Sequence, residues 1–385
     1  MWLWSGLDAT AALATRDLGT ILKSYRKLSG LSQDGLAAAL GYDKSYVSMI
    51  ENRRRTISDV PTRRHIARVL GLPAHVLGVT DAADADFAAM LQFGDSTIRL
   101  AEIARQSGRA VEAVNELWPL TARLEARAAE GHLDRDALIL LGQARVALGV
   151  SLGTVLPEER LAVAARWTGK ALLVARRLED RAFLAHTLRM HGNELRKADH
   201  KIAAAARLEQ AVNLADSPVE RGSALALLAR ATGETGNSAA FDDTIAAYRD
   251  LLDQHSGDSI LFNPFTFHEI HLRGLIDTGR TTEAADRVHN NPPGSTAPAP
   301  QWQVIERVTA GHALLAANDV TGAEEALRNA LQAAEARRLP HQIQRIHRIA
   351  RRADLPLTAD AKTALTKLRT YLVLPDHQPP GHSAS

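Results

Sequence analysis

Between Lys44 and Glu51 the chain reads Lys-Ser-Tyr-Val-Ser-Met-Ile-Glu. Wound as a helix, this stretch turns Val47 and Ile50 inward and leaves Lys44, Ser45, Ser48 and Met49 facing outward. Such a face can read the edges of base pairs. A lysine ammonium donates to guanine O6 and N7, and a methionine can touch a thymine methyl. Arg53 and Arg54 follow at once and supply attraction to phosphate that does not depend on sequence. Tyr46 lies beside them, placed either to bond a phosphate or to stack on its own domain.

The flanking residues position that face. Gln33 to Leu40 reads as a second short helix with Leu36, Ala37 and Leu40 on one side. Ser32 and Asp43 are suited to accept the unpaired amides of the two first turns. Gly41 suits the left-handed corner between the helices. Upstream, Asp17 to Leu28 predicts a helix with an apolar stripe of Ile21, Leu22, Tyr25 and Leu28, ending at Ser29-Gly30. Downstream, Ser58-Asp59 caps a helix carrying Ile66, Val69 and Leu70, with Pro61 in its first turn. Gly71-Leu72-Pro73 closes it, and Val76 and Leu77 belong to a short fifth helix. Helix, glycine turn and polar-faced helix describe a helix-turn-helix.

Leu18 to Leu77 resembles the lambda-repressor-type, or XRE-family, helix-turn-helix domain of bacterial regulators. The matching residues are Leu31-Ser32-Gln33, Leu36-Ala37, Leu40-Gly41, Val47-Ser48, Ile50-Glu51-Asn52, Ile66-Ala67 and Leu70-Gly71-Leu72-Pro73. The resemblance implies that Gln33 and Asn52 anchor phosphates on either side of the recognition helix. Gly35 departs from it, standing where a charged or long polar residue usually completes a capping box with Ser32. A glycine there costs up to about 1 kcal/mol of helix stability.

Charge is divided along the chain. From Arg16 to Leu70 eleven basic residues face five acidic ones, a surplus of six. The whole chain carries +2, so the remainder carries −4. A basic small domain attached to a mildly acidic larger part fits nucleic-acid binding by the first alone. Trp2 and Trp4, with Leu7 and Leu13, form an N-terminal arm over residues 1–16. It packs on the adjoining domain (17–79) or touches a partner subunit, and packing is favoured because exposed tryptophan is costly.

The acidic stretch 80–86 reads as a linker. From Phe87 to about Leu374 nearly every segment is an amphipathic helix, and 375–385 reads as a disordered tail. Four windows place a turn residue, then apolar or small residues five, nine and twelve positions on. They are Asp199/Ala204/Leu208/Ala211, Gly236/Phe241/Ile245/Tyr248, Gly279/Ala284/Val288/Asn291 and Asn318/Ala323/Leu327/Ala330. Asn291 is a poor fit. Leu188, Gly192 and Leu195 precede Asp199 as Arg307, Gly311 and Leu314 precede Asn318. The pattern is similar to the tetratricopeptide repeat, whose period is about 34 residues; the steps here are 37, 43 and 39. The fold expected is all-α: a five-helix lambda-repressor-like domain followed by a right-handed tetratricopeptide-like solenoid.

In such repeats the first helix of each pair lines a concave groove. Six residues before each turn stand Asn193, Arg230, Arg273 and His312, all polar, with Arg189 one helical turn before Asn193. These are the candidate ligand contacts; the Arg189/Asn193 pair resembles the pairing that repeats of this kind use on peptide carboxylates.

Enzyme chemistry finds little support. There is no cysteine, so disulfides, thiolate metal sites and a cysteine nucleophile are excluded. His268-Glu-Ile-His271 lacks the i, i+4 spacing of a zinc-protease helix. Gly149-Val-Ser-Leu-Gly153 has the letters of a nucleophile elbow without a strand before it, and reads as a loop. No cofactor or metal is expected. The N-terminus lacks the basic start of a signal peptide and no run approaches eighteen apolar residues, so a soluble cytoplasmic protein is expected.

The chain thus resembles helix-turn-helix regulators with tetratricopeptide repeats that respond to short peptides, and its Ala/Arg-rich composition resembles that of actinobacteria. The expected partners are a pseudo-palindromic duplex operator, a second copy of the chain, and a peptide or small-molecule effector that alters operator affinity. Two alternatives remain open. The repeats can dock a partner protein with no small ligand, or the first domain can dimerise without binding DNA.

Overall fold

The structure, a computed structural model, describes residues 3–72, 74–79, 82–131, 133–255, 259–290 and 296–371. Trp2, Pro73, Asn291 and the tail 375–385 lie outside them. Among the described residues the chain is helical, with a single isolated bridge between Ser259 and Phe262. Two compact units organise it: Met1–Glu102 with Val114–Leu148 and Gly169–Asp180, and Ile103–Ala113 with Gly149–Thr168 and Arg181–Ser385.

The first unit opens with α1 (Leu7–Ala14), α2 (Leu18–Ser29), α3 (Gln33–Leu40), α4 (Lys44–Glu51), α5 (Val60–Leu70) and a 3-10 turn at Ala74–Leu77. Ser32 and Asp59 accept first-turn amides, as their positions predict, and Asp17, read as the first residue of its helix, proves to be its cap. Asp43 differs: it holds the extended backbone of a cap, but its side chain makes no bond to the first turn of α4. Gly41 takes φ 70°, the left-handed corner that lets α3 and α4 cross. Gly19 was not legible as a contact. A Cβ there would sit 2.7 Å from the Ile50 carbonyl oxygen, so α2 rests directly on the backbone of α4.

Ile21, Leu22, Leu36, Leu40, Val47 and Ile66 form the core of this domain, and Leu28 of the expected stripe is left largely exposed. Trp4 joins the core. Its Nε1 donates to the Leu70 carbonyl at 2.9 Å and its ring stacks on Tyr25 at 5.9 Å. The described part of the arm therefore packs on the domain. Trp4→Phe, which removes the donor and leaves a buried carbonyl unpaired, should cost about 1–2 kcal/mol in urea unfolding.

Then come α6 (Ala82–Gln106), α7 (Ala110–Glu130), α8 (Arg135–Val155) and α9 (Leu161–Ala175). α6 starts at Ala82, so most of the stretch read as linker is already helix. α8 corrects one expectation, about its last residues. It is long and apolar enough to cross a membrane by length and composition, yet 83% of its apolar window is buried in the fold, which makes it a core helix. The Gly149–Gly153 stretch lies inside it rather than in a loop, with Gly149 pressed against Thr168.

The second unit contains five antiparallel pairs: α10 (Arg181–Lys197) with α11 (Lys201–Leu214), α12 (Pro218–Glu234) with α13 (Ser238–Gln254), α14 (Pro264–Asp277) with α15 (Thr281–Asn290), α16 (Pro300–Ala316) with α17 (Val320–Ala336), and α18 (Pro340–Arg352) with α19 (Leu357–Tyr371). The four turn residues of the repeat, Asp199, Gly236, Gly279 and Asn318, all adopt positive φ, from 62° to 82°. That explains why the anchors are Gly, Asn or Asp. Gly192 and Gly311 repeat one contact, since a Cβ would meet Leu208 at 2.7 Å and Leu327 at 2.8 Å. These are hairpins of the tetratricopeptide kind, and their first helices α10, α12, α14, α16 and α18 touch in succession.

Candidate nucleic-acid interface

The outward face of α4 is fixed from beneath by a buried carboxylate. Arg26 Nε and Nη2 donate to the two oxygens of Glu51 at 2.6 and 3.0 Å, and Gln33 Nε2 donates to Glu51 Oε2 at 2.7 Å. The Glu51 side chain is 1% exposed. Burial alone would raise its pKa; the hydrogen bonds from Arg26 and Gln33 outweigh that and hold it below the usual carboxylate range. One acid thus joins α2, the start of α3 and the end of α4. Sequence reading placed Glu51 in the family pattern but missed its partner Arg26, because a pair twenty-five residues apart leaves no local spacing signal.

The predicted contact residues differ in how free they are. Lys44 meets Asp34 at 2.8 Å on the open surface, a pair worth about 0–1 kcal/mol and readily exchanged for another anion. Asn52 makes only a long 3.4 Å bond to Ser48 Oγ. Arg53 has left-handed φ of 59° and is tied to Asp17 at 3.0 Å. The Tyr46 ring packs within its own domain, 5.0 Å from Tyr42 and beneath the Arg55 guanidinium at 4.6 Å. Ser45 and Arg54 are exposed, and Ser48 and Met49 half-buried. Beside the end of α4 lies a cleft of about 500 Å³ lined by Arg16, Arg53, Arg55 and Arg63, with Asp17 as its acid.

In the second unit, four of the five predicted groove residues fall near one another, as part of a polar ladder across the first helices. Arg196 and Arg273 both donate to Glu234 Oε1 at 2.6 Å, and Arg273 also lies 3.6 Å from Asp277. Thr309 donates to Glu269 at 3.0 Å and receives Arg345 at 3.2 Å. Arg230 is 3.9 Å from Glu269 and over the Trp302 ring at 5.3 Å. Arg230 Nε and Glu269 Oε2 are buried without a hydrogen-bond partner. Asn193 accepts from Arg196 at 3.0 Å. His312 lies within the field of Arg345, Arg352 and Arg273; burial first, then those charges, lower its pKa to about 4 and keep it neutral at pH 7. Arg189 stands apart, beside His186 and near Glu220.

Burial pushes Arg230 and Arg345 down to about 9, still cationic at neutral pH. Burial would raise Glu234, but Arg196, Arg273 and Arg230 hold it at about 2. Partial burial, and then repulsion from Glu269, raise Glu306 to about 7. The missed acids did leave a trace: Glu234 lies four residues after Arg230, Glu269 four before Arg273 and Asp277 four after it, on the same helix faces. Across the same unit Glu158 bonds Arg348 and sits 3.2 Å from His341, and Glu159 meets Arg369 at 2.6 Å. His268 and His271 are buried on α14, and among the described residues no group of three or more His, Asp or Glu could hold a metal ion.

The helix-turn-helix domain family matches residues 17–77. Among solved structures, Bacillus thuringiensis PlcR in complex with the peptide PapR7 and DNA matches at 17% identity, covering 83% of this chain and 95% of that one, with a TM-score of 0.31. That superposition is too loose to transfer any residue's role. No curated protein matches the chain. Residues 17–77 form a helix-turn-helix domain of the lambda-repressor-like kind, a DNA-binding fold, carried ahead of an array of antiparallel helical hairpins.

Proposed function

We propose that this chain is a cytoplasmic transcriptional regulator that reads a duplex operator with α4 and is controlled through its helical repeats. The observation that carries the reading is the Arg26–Glu51–Gln33 lock, which holds a mixed polar and apolar face outward with little freedom. Lys44, Ser45, Ser48 and Met49 select bases; Gln33, Asn52, Arg53 and Arg54, with Tyr46 beside them, position the phosphates. Two copies place two such helices about 34 Å apart on a pseudo-palindromic site.

The repeats take up an effector, a peptide or small molecule with an anionic group, along Asn193, Arg230, Arg273 and His312, with Arg189 at the margin. Support comes from Arg230 Nε and Glu269 Oε2, both buried without a hydrogen bond and held to each other's side chain only by a loose 3.9 Å ion pair, since buried polar atoms without hydrogen bonds are unusual in a settled core. An effector changes operator affinity only as far as it prefers one arrangement of the repeats over another.

Fluorescence anisotropy on a mixed-sequence duplex tests the DNA reading. Affinity should fall steeply with salt, and Arg54→Ala should lower the log–log salt slope by about 1. Binding indifferent to salt and to this substitution would leave the domain a dimerisation module.

A further inference from the structure

We infer that the outer face of α6 is where a second copy of this chain docks. This deepens the dimer reading above and rests on it. Eleven large hydrophobic side chains stand well exposed among the described residues. Three of them, Phe93 (59%), Leu100 (66%) and Ile103 (56%), belong to α6, and no other helix carries more than one. Ala89, Phe93, Ser96 and Leu100, all in the first unit, succeed one another at intervals of four, three and four, the spacing of two helices packed in a left-handed pair. The opposite side of α6, with Phe87, Met90, Gly94 and Ala101, is already buried in the chain's own core. The helix therefore has a second apolar face that its own fold does not use.

The patch is complementary to itself. Phe93 forms one wall of a groove of about 250 Å³ along α6, whose floor and far side are Ala89, Met90, Gly94, Thr97 and Leu120, with Asp86 and Arg123 at its edge. A two-fold contact requires both a projecting group and its receptacle on one surface, and here the exposed Phe93 ring is also a wall of the groove that would receive its counterpart. The charges near it balance: Asp86 lies 3.7 Å from Arg123, and Asp95 lies 3.1 Å from Arg99. Two acids and two bases impose no net repulsion on an identical patch, whereas a strongly charged partner would gain nothing from it.

Sedimentation velocity on the full chain tests this. The wild type should sediment as a dimer at micromolar concentration, and Phe93→Glu or Leu100→Glu should weaken self-association at least tenfold with unchanged helical circular dichroism. Ile202→Glu, at an equally exposed site on α11, should remain dimeric. The chain has no cysteine, so Ser96→Cys gives a single thiol on the seam, and oxidation should link two copies. A monomeric wild type, dimers indifferent to both charged substitutions, or no cross-link would each overturn the proposal. Duplex binding by the same samples is read separately: a monomer that still binds a half-site refutes the α6 contact and leaves the DNA reading standing.

Discussion

Glu51→Ala is expected to cost the helix-turn-helix domain about 3–5 kcal/mol, the usual penalty for leaving one member of a buried ion pair alone. A domain of this size has only about 5–15 kcal/mol to lose. The carboxylate accepts three hydrogen bonds, two from Arg26 and one from Gln33. Its loss strands a guanidinium against the end of α4 and frees Gln33 from its fixed rotamer. Duplex affinity should therefore fall even where the domain remains folded. Glu51→Gln, which keeps an acceptor but not the charge, should fall between. The acid response has a defined sign. Because the folded pKa lies below the ordinary carboxylate value, the contribution of Glu51 is complete above that value and disappears as pH falls through the folded one. Urea unfolding of wild type and both variants across that range gives the measurement.

The second large effect belongs to Glu234→Ala. One oxygen of Glu234 receives Arg196 and Arg273 together, and all three side chains are largely buried. Removing it leaves two cations facing each other with only Asp277, 3.6 Å from Arg273, as a nearby anion, and with Arg230 also in range. A loss of about 3–5 kcal/mol is expected in the repeat unit, with faster hydrogen exchange in α12 and α14. Adding Arg273→Met should recover part of the loss, because the repulsion then has one fewer participant. Glu234 is held at about 2 from an ordinary 4.5, so its contribution is present above pH 4.5 and drains away as pH falls toward 2. A variant as stable as wild type would mean that the ladder is solvated and adaptable, which would also weaken the case for an effector site there.

Local patterns in the sequence carried the fold a long way. The caps at Ser32 and Asp59, the corner at Gly41, and the repeat anchors at Asp199, Gly236, Gly279 and Asn318 are legible because each is a backbone demand that few residue types meet. What the sequence did not reveal depends on distance. Arg26 reaches Glu51 and Trp4 reaches Leu70 only once the helices have packed. The polar residues at Asn193, Arg230, Arg273 and His312 were visible as a periodic set. The pairing of Arg230 and Arg273 with acids on neighbouring helices was not, because it is set by how successive hairpins stack. α8 was misread only at Gly149–Gly153, where two glycines in a short apolar stretch read as a loop although they lie inside a core helix.

The central claim is that the outward face of α4 chooses the site. Selection of bound sequences from a random duplex pool, with the full chain as wild type and as Lys44→Ala and Met49→Ala, tests it most directly. Wild type should enrich a two-fold motif with half-sites about one helical turn apart. Each substitution should relax preference at its own base positions and leave the others intact, with a loss of about 1–3 kcal/mol in discrimination where Lys44 meets guanine. Enrichment of one motif unchanged by both substitutions, or no enrichment at all, would contradict the account.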